Sequence, residues 1–374
     1  QPFLVSDGMG TVYYAYSENP GFGDIYLQKY NHVGNAEWDM PQLIADNVGD
    51  DLIRYMVPMD DGGCIIIHDL LFFPIFANVK LTRLDSEGNF VNGWKNIYVS
   101  PEGEEGYFED AIETDAGLYI TWRDGDSKVF AKYIPYNESD PSNVGILNIS
   151  DTGNLYTESL AIDYNLFSQE VLSCWQEEIA SVYNIHCVAK DLDNLQEDSE
   201  VIIIYEDLNN VQRNPSVKST LYGNYLVTWE DERLGNYTDL YIQEINSNGD
   251  TFLESDGSIL CNASFNQFNS KVESINNDAN TFIVLWEDDR SSGKEFVTNI
   301  FSQKVSLESN SDCTNSIGDV NEDGVVNVLD IVQTANEVLS GDVLTDCGLE
   351  AADMNFDEVI NILDIVQIAN VILG

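Results

Sequence analysis

The chain has few basic residues. Only 16 Lys and Arg stand against 65 Asp and Glu among 374 residues, which gives a formal net charge of −49. Such an acidic surface repels phosphate backbones and anionic lipid headgroups, and it attracts divalent cations and basic partners. We therefore expect no nucleic acid and no anionic membrane among the partners.

Several other features are missing from the sequence. A transmembrane helix needs about 18 consecutive apolar residues, and no apolar run in the sequence approaches that length. We therefore expect no membrane span. There is no nucleophile elbow, phosphate-binding glycine loop or zinc motif. The three histidines, His32, His68 and His186, fall in different repeats and predict no shared metal site. No signal peptide is visible, and we expect Gln1 to be the mature N-terminus of a secreted protein.

The C-terminal part of the chain contains a short repeat. The segments Asp319–Asp330 and Asp353–Asp364 lie 34 residues apart, and each has oxygen-bearing side chains at positions 1, 3, 5, 9 and 12. Side chains at this spacing converge on a hard cation, while a carbonyl at position 7 and a carboxylate at position 12 close the shell. An apolar helical pattern begins inside each segment. The sequence therefore predicts two calcium loops, each followed by a helix.

These residues resemble the type I dockerin module, and the likeness covers residues 313–374. It implies a small α-helical domain with two EF-hand-like loops that hold two Ca²⁺ ions. The implied ligands of the first ion are Asp319, Asn321, Asp323, the carbonyl of Val325, and Asp330. Those of the second ion are Asp353, Asn355, Asp357, the carbonyl of Val359, and Asp364. Asn327 and Asn361 would act through water.

The two loops differ at position 6, which is Gly324 in the first and Glu358 in the second. The sharp turn at this position favours positive φ, where a non-glycine residue costs about 1 kcal/mol. We therefore expect the second site to bind its ion more weakly.

The resemblance also implies a partner, because dockerins attach to cohesin domains through the helix starts that follow each calcium loop. Those positions are apolar here, and the predicted docking residues are Val328, Leu329, Ile362, Leu363 and Val366. The second helix pattern is apolar on more than the one face that a small core can bury. We expect the partner to be a cohesin-like domain or the next identical subunit of an extracellular filament.

A longer repeat occupies residues 1–308. Trp or an equivalent residue recurs at positions 16, 68, 122, 175, 229 and 286, with separations of 52 to 57 residues. Each copy lies in an alternating run and is followed by a second such run, which predicts antiparallel strands. Four strands in about 50 residues are typical of a propeller blade. The predicted fold is mainly β: a six-bladed β-propeller over 1–308, its last blade without an outer strand, and a dockerin over 309–374. The repeats are similar to the W-x-D propeller repeats of secreted bacterial proteins.

The acidic residues after each repeat position have two interpretations. They could be catalytic carboxylates, with Arg123, Arg233 and Arg290 as anion binders. Their recurrence at one place in nearly every copy is more typical of turn caps and hydrogen bonds between blades. We therefore expect a non-catalytic structural or interaction protein and no enzyme. The alternative is a polysaccharide-binding or polysaccharide-degrading component of a dockerin–cohesin complex.

The six cysteines fit an oxidising compartment. Cys313 and Cys347 precede the two calcium loops, and a bridge between them would join the halves of the tail. Cys174 and Cys187 fall on neighbouring predicted strands and could pair across that hairpin. We expect Cys64 and Cys261, which lie in different repeats, to be buried thiols.

Overall fold

Antiparallel strands form most of the regular structure ahead of residue 307. The computed structural model describes residues 2–17, 23–46, 50–72, 76–150, 157–179, 182–195, 199–205, 209–220, 223–235, 237–275, 278–290, 298–307, 317–321, 324–341, 344–355 and 359–373. The chain divides into two compact units, Gln1–Glu158 and Ser159–Gly374. The boundary that we place after residue 308 remains a prediction.

The first unit contains three sheets of four strands, each a meander in chain order. Sheet 1 consists of β1 (Phe3–Ser6), β2 (Val12–Ser17), β3 (Ile25–Tyr30) and β4 (Gln42–Ala45). Sheet 2 consists of β5 (Asp50–Pro58), β6 (Cys64–Phe72), β7 (Phe76–Leu84) and β8 (Ile97–Tyr98). Sheet 3 consists of β9 (Tyr107–Glu113), β10 (Gly117–Arg123), β11 (Val129–Pro135) and β12 (Leu147–Asn148).

The second unit carries three more meander sheets and the helices. Sheet 4 consists of β13 (Thr157–Asn165), β14 (Glu170–Ile179), β15 (Val182–Asp191) and β16 (Ile202–Ile203). Sheet 5 consists of β17 (Gln212–Ser219), β18 (Tyr225–Asp231), β19 (Asp239–Ile245) and β20 (Ser258–Cys261). Within the described residues sheet 6 has three strands, β21 (Gln267–Ile275), β22 (Asp278–Asp288) and β23 (Asn299–Ser306). The helices are α1 (Val328–Ser340), α2 (Asp346–Ala352) and α3 (Ile362–Leu373).

The repeat position always falls on the second strand of a sheet, which has a partner on both sides. All six Trp residues of the chain are buried, and Trp122, Trp175 and Trp229 are no more than 1% exposed. One buried cluster joins Trp229 on β18 to Leu172 and Ile185 of sheet 4. Another joins Trp122 on β10 to Val57 and Ile65 of sheet 2. In both clusters the large aromatic side chain therefore packs one sheet against the preceding one.

The expected fold class is confirmed at the level of a mainly β chain with a C-terminal helical region. The arrangement of the sheets as propeller blades remains a prediction. Within the described part of the chain, no helix is long and apolar enough to cross a membrane.

Candidate calcium centres and docking face

The first calcium loop folds around two buried carboxylates. Asp319 and Asp330, at positions 1 and 12, are both almost fully buried. Asp319 accepts a hydrogen bond from the amide of Gly324 at 2.8 Å. Asp330 accepts hydrogen bonds from the amides of Asn321 at 3.1 Å and Asn327 at 2.7 Å. Backbone amides of the loop itself thus fix both carboxylates and hold them in place for a cation.

The second loop repeats this arrangement. Asp364 at position 12 is fully buried and accepts hydrogen bonds from the amides of Met354 at 2.9 Å and Asn361 at 2.8 Å. The position-9 side chains act alike in both loops: Asn327 accepts from the amide of Leu329, and Asn361 accepts from the amide of Leu363. Each asparagine therefore caps the helix that follows. This geometry suits an indirect, water-mediated role towards the ion.

The composition of the tail fits a metal. Residues 305–374 contain no Lys, Arg or His, so no side chain of the tail can neutralise its buried carboxylates. Burying an ionised carboxylate is costly unless a cation or hydrogen bonds compensate it. Oxygen ligands from short side chains and carbonyls suit Ca²⁺. The residues present therefore fit calcium.

The predicted ligands are only partly described. Asn321, Val325, Asp353, Asn355 and Val359 lie in the described loops beside the three buried aspartates. Asp323, Asp357 and Glu358 lie outside the described residues. Among the described residues, no group of three or more His, Cys, Asp or Glu is assembled in a metal-binding arrangement. The number and the position of the ions therefore remain predictions.

The predicted docking residues are all exposed. Val328, Leu329, Ile362, Leu363 and Val366 are each more than half exposed, at the start of α1 and in the first half of α3. The opposite sides of these helices are buried with Ile368 and with the partly buried Ile331. The two helices therefore leave an apolar face open to solvent.

Three further residues belong to this face and were not predicted as docking residues from the sequence. Val332 is 51% exposed on α1, like Val366 on α3, and the two residues are 34 positions apart. Val325 and Val359, which we predicted only as carbonyl ligands, also expose their side chains. The 34-residue repeat could have identified Val332, because it lies 34 positions before the predicted docking residue Val366. We define the docking face as Val325, Val328, Leu329, Val332, Val359, Ile362, Leu363 and Val366.

The cysteines take three different forms. Cys174 on β14 and Cys187 on β15 are direct cross-strand partners and form a disulfide. Cys347 is disulfide-bonded, and its predicted partner Cys313 lies outside the described residues. Cys64 is a buried free thiol. Cys261 is free but only half-buried, 3.0 Å from a guanidinium nitrogen of Arg290.

In sheets 4, 5 and 6, the acid two residues after the repeat position accepts a hydrogen bond from the Trp side chain. The indole N–H groups of Trp175, Trp229 and Trp286 donate to Glu177, Asp231 and Asp288, each at 3.0 Å. The candidate anion-binding arginines are likewise engaged: Arg233 pairs with Asp231, Arg290 with Asp288, and Arg123 with Glu109. In this geometry both groups stabilise the sheets.

A second set of polar residues links neighbouring sheets of the second unit. Asn214 on β17 and Asn269 on β21 lie at strand bulges with φ of 51° and 54°. The side chain of Asn214 donates to Glu230 at 2.8 Å, and the amide of Asn269 donates to the same oxygen at 2.9 Å. The amide of Asn214 also donates to Gln176 of sheet 4 at 3.1 Å. Sheets 4, 5 and 6 are thereby connected through one polar chain, which we call the inter-sheet ladder.

A polar cavity of about 630 Å³ lies in the second unit, between sheet 4 and the turn that follows β19. Its size is within the range of small-molecule sites. Its lining includes the carboxylates of Glu170, Asp191 and Glu200 and the polar residues Ser247 and Asn248. Burial raises the pKa of Glu170, and the charge of Asp191 adds to the shift. The cavity therefore offers hydrogen-bonding groups and a carboxyl group that holds its proton more tightly than usual.

Comparison with known families identifies the C-terminal part. Residues 317–373 match the family model of the dockerin type I domain. This confirms the resemblance seen in the paired loops, and it shows that the chain ends in a module of the kind that binds calcium and docks to cohesins. No protein of curated function matches the chain in sequence.

Solved structures resemble the chain more distantly. A protein of unknown function from Dyadobacter fermentans has a TM-score of 0.43 at 9% identity, covering 82% of this chain and 94% of that one. An α-L-arabinofuranosidase of Fusarium graminearum has a TM-score of 0.42 at 12% identity, covering 82% and 91%. An endo-arabinase of Bacteroides thetaiotaomicron has a TM-score of 0.34 at 14% identity, covering 64% and 92%. These likenesses assign no substrate and no residue role to this chain.

They do overturn our expectation of a non-catalytic structural protein and no enzyme, because the similar structures include glycoside hydrolases. That expectation rested on the recurrence of the acids after each repeat position and on the absence of a known catalytic motif. Glycosidases work with two carboxylates that can come from separate strands, so a short sequence motif need not mark them. The filament of identical subunits is withdrawn with that expectation.

Proposed function

We propose that this chain is an extracellular polysaccharide-binding or polysaccharide-degrading component that its C-terminal dockerin attaches to a cohesin. The observation that carries the proposal is the pair of calcium loops, each followed by a helix whose first turn exposes apolar side chains. Two Ca²⁺ ions, one in each loop, hold the helices in register for docking. Dockerin–cohesin systems operate outside the cell, where calcium is abundant.

The β-sheets form the body that this dockerin delivers, and we infer that they stand as six propeller blades around a channel. Support comes from six successive meander sheets, one for each sequence repeat, with a large side chain between neighbouring sheets. The ligand is a polysaccharide. Because every Trp is buried, the body has no Trp to serve as a sugar-stacking platform. The cavity beside Glu170 and Asp191 supplies hydrogen-bonding groups that would recognise the sugar.

Docking is tested by calorimetric titration of the full chain with a type I cohesin, in Ca²⁺ and in EGTA. We expect binding only with Ca²⁺. Replacing both Leu329 and Leu363 by Asp should weaken binding at least about 100-fold, since charges would enter an apolar interface. Met9→Asp is the matched control, because Met9 is a highly exposed apolar residue far along the chain from the dockerin. Equal binding in EGTA would contradict the proposal.

The body is tested on a panel of insoluble polysaccharides, including cellulose, xylan and arabinan, by co-sedimentation and by release of reducing sugar. We expect retention on at least one polymer, weakened about tenfold or more by Glu170→Gln through loss of a charged hydrogen-bonding group. Asp193→Asn is the control, since Asp193 is exposed and does not line the cavity. A chain that binds cohesin but neither retains nor cleaves any polymer would rule out this role of the body.

A further inference from the structure

The hydrophobic core of the dockerin contains one residue from the β-sheet body. Phe167, in the turn between β13 and β14, is 9% exposed. Among the described residues, it shares one buried cluster with the dockerin residues Ile317, Val320, Ala352, Met354 and Ile368. Its neighbour Leu166 in the same turn is 53% exposed. The turn therefore directs a single large apolar side chain into the dockerin.

The turn that carries Phe167 is held firmly. Asn165 is fully buried, and its side chain donates to the carbonyls of Thr220 at 3.0 Å and Asn224 at 3.1 Å. The same side chain accepts hydrogen bonds from the amides of Phe167 at 2.9 Å and Ser168 at 3.3 Å. A turn fixed in this way loses little conformational entropy when Phe167 is buried, so the contact is pre-organised.

Both calcium loops reach the same cluster. Val320 and Met354 occupy position 2 of the first and second loops, and both are almost fully buried. Each follows the aspartate at position 1 directly in sequence. The amide of Met354 also donates to Asp364, the position-12 carboxylate of its loop. The backbone that would wrap each ion is thus the backbone that places a side chain in the cluster with Phe167.

We propose that Phe167 and this cluster form a calcium-dependent latch between the body and its own dockerin. With ions bound, Val320 and Met354 are in place and the dockerin packs on the Phe167 turn. Without ions, the loops lose their order and the contact opens. Because coupling between two sites is reciprocal, burial of Phe167 also tightens calcium binding in the intact chain.

The latch leaves the docking face available. None of the eight docking-face residues belongs to the buried cluster, and all of them are exposed. A partner can therefore bind while the dockerin is held by the body, which then presents the docking face in a fixed orientation. The latch rests on the calcium sites of the proposed function, and it depends neither on the cohesin nor on a polysaccharide.

The latch is tested on the full chain by calorimetric Ca²⁺ titration of wild type, Phe167→Ala and the matched variant Leu166→Ala. We expect Phe167→Ala to bind Ca²⁺ about 5- to 150-fold more weakly, the range of typical coupling between sites. Leu166→Ala should stay within about twofold of wild type because its side chain is exposed. Hydrogen exchange gives a second readout: amides of residues 165–168 should be protected more in Ca²⁺ than in EGTA in wild type and Leu166→Ala, but not in Phe167→Ala.

Two controls separate the latch from other effects. In EGTA, where the contact is open, strands β14, β15 and β18 should exchange alike in wild type and Phe167→Ala. At saturating Ca²⁺, cohesin affinity should be equal in both proteins, so a failure of docking and a failure of the latch are distinguishable. Should Phe167→Ala not fold, Phe167→Leu takes its place with a smaller expected loss. Unchanged calcium affinity together with unchanged exchange of the turn would overturn the latch.

Discussion

At the scale of single residues, the sixth position of each calcium loop decides how easily the loop closes. Gly324 adopts φ of 84°, a left-handed conformation that glycine reaches without steric cost. The second loop has Glu358 at this position, which lies outside the described residues. A residue with a Cβ in the same conformation costs about 1 kcal/mol, which is equivalent to about fivefold in affinity.

We therefore predict that Glu358→Gly tightens the weaker of the two calcium sites by up to about fivefold. Gly324→Ala should weaken the first site by a similar factor. Nothing lies within 4 Å of a Cβ placed at this glycine, so the loss would come from backbone strain alone. Competition with a chromogenic chelator resolves the two binding steps. Equal stepwise calcium-binding constants in wild type and Glu358→Gly would show that the second loop does not need a residue with positive φ at this position.

A second effect at this scale concerns His68, which occupies a repeat position in β6. The side chain is fully buried, with Lys80 as its cross-strand neighbour and an Asp51 carboxylate oxygen 4.0 Å from Nδ1. Burial lowers the pKa of His68 to about 3, and the charge of Lys80 adds to the shift. The imidazole therefore stays neutral in the folded protein, while in the unfolded chain it takes up a proton below about pH 6.5.

Because only the unfolded state binds this proton, the titration of His68 costs no stability above about pH 6.5. Below that pH the free energy of unfolding falls as the pH drops towards 3. At pH 5 the loss amounts to about 2 kcal/mol. We predict that His68→Leu abolishes this loss. When the pH is lowered from 8 to 5, the free energy of unfolding of the variant should therefore rise by about 2 kcal/mol relative to that of wild type. Burial raises the pKa of the adjacent Asp69 to about 6, but this group titrates in both proteins and cancels in the difference. Urea unfolding at the two pH values measures the effect, and parallel pH profiles of the two proteins would contradict it.

At the scale of strands and sheets, the inter-sheet ladder depends on Glu230. This side chain is 3% exposed, and one of its oxygens accepts from both Asn214 and Asn269. Removing it would leave two donors without their acceptor between sheets 5 and 6. A buried donor without a partner costs about 1–3 kcal/mol.

We predict that Glu230→Ala lowers the free energy of unfolding by about 1–3 kcal/mol in total, because Asn214 is only half-buried and Asn269 is exposed, so water replaces part of the lost acceptor. Glu230→Gln is the matched control: it keeps an acceptor oxygen and the side-chain size, and it should cost less than about 1 kcal/mol. The lost ion pair with Arg213 adds little, because Arg213 is 38% exposed. Guanidinium unfolding of the three proteins measures the difference. Equal losses in both variants would show that the charge matters more than the hydrogen bonds.

The same scale shows what the sequence could and could not predict. The sheets were predictable because strand alternation and the spacing of Trp122, Trp175 and Trp229 are local patterns that recur. The dockerin was predictable because the pattern of its paired loops lies within twelve consecutive residues and occurs twice. The ladder and the contact of Phe167 join residues that are far apart in the chain, and a lone Phe in a turn carries no periodic signal. Such contacts depend on how finished elements pack, so one sequence does not reveal them.

At the scale of the whole molecule, charge is the dominant property. The formal net charge is −49, and there are only 16 basic residues to offset it. Many of those already serve in ion pairs, among them Arg54 with Asp69 at 2.5 Å and Arg83 with Asp61 at 2.7 Å. Most acidic groups therefore repel one another across the surface. This self-repulsion opposes the compact state and keeps the protein soluble.

Salt should stabilise such a molecule, because screening weakens repulsion between the many acids more than attraction within the few ion pairs. Raising NaCl from about 10 mM to about 150 mM shortens the screening length from about 30 Å to about 8 Å. We predict a rise of several degrees in the melting temperature of the metal-free chain in EGTA, measured by scanning calorimetry. The same concentration of an uncharged osmolyte should have almost no effect at this level. A melting temperature that falls with salt would mean that surface ion pairs, and not repulsion among the acids, dominate the stability of the folded chain.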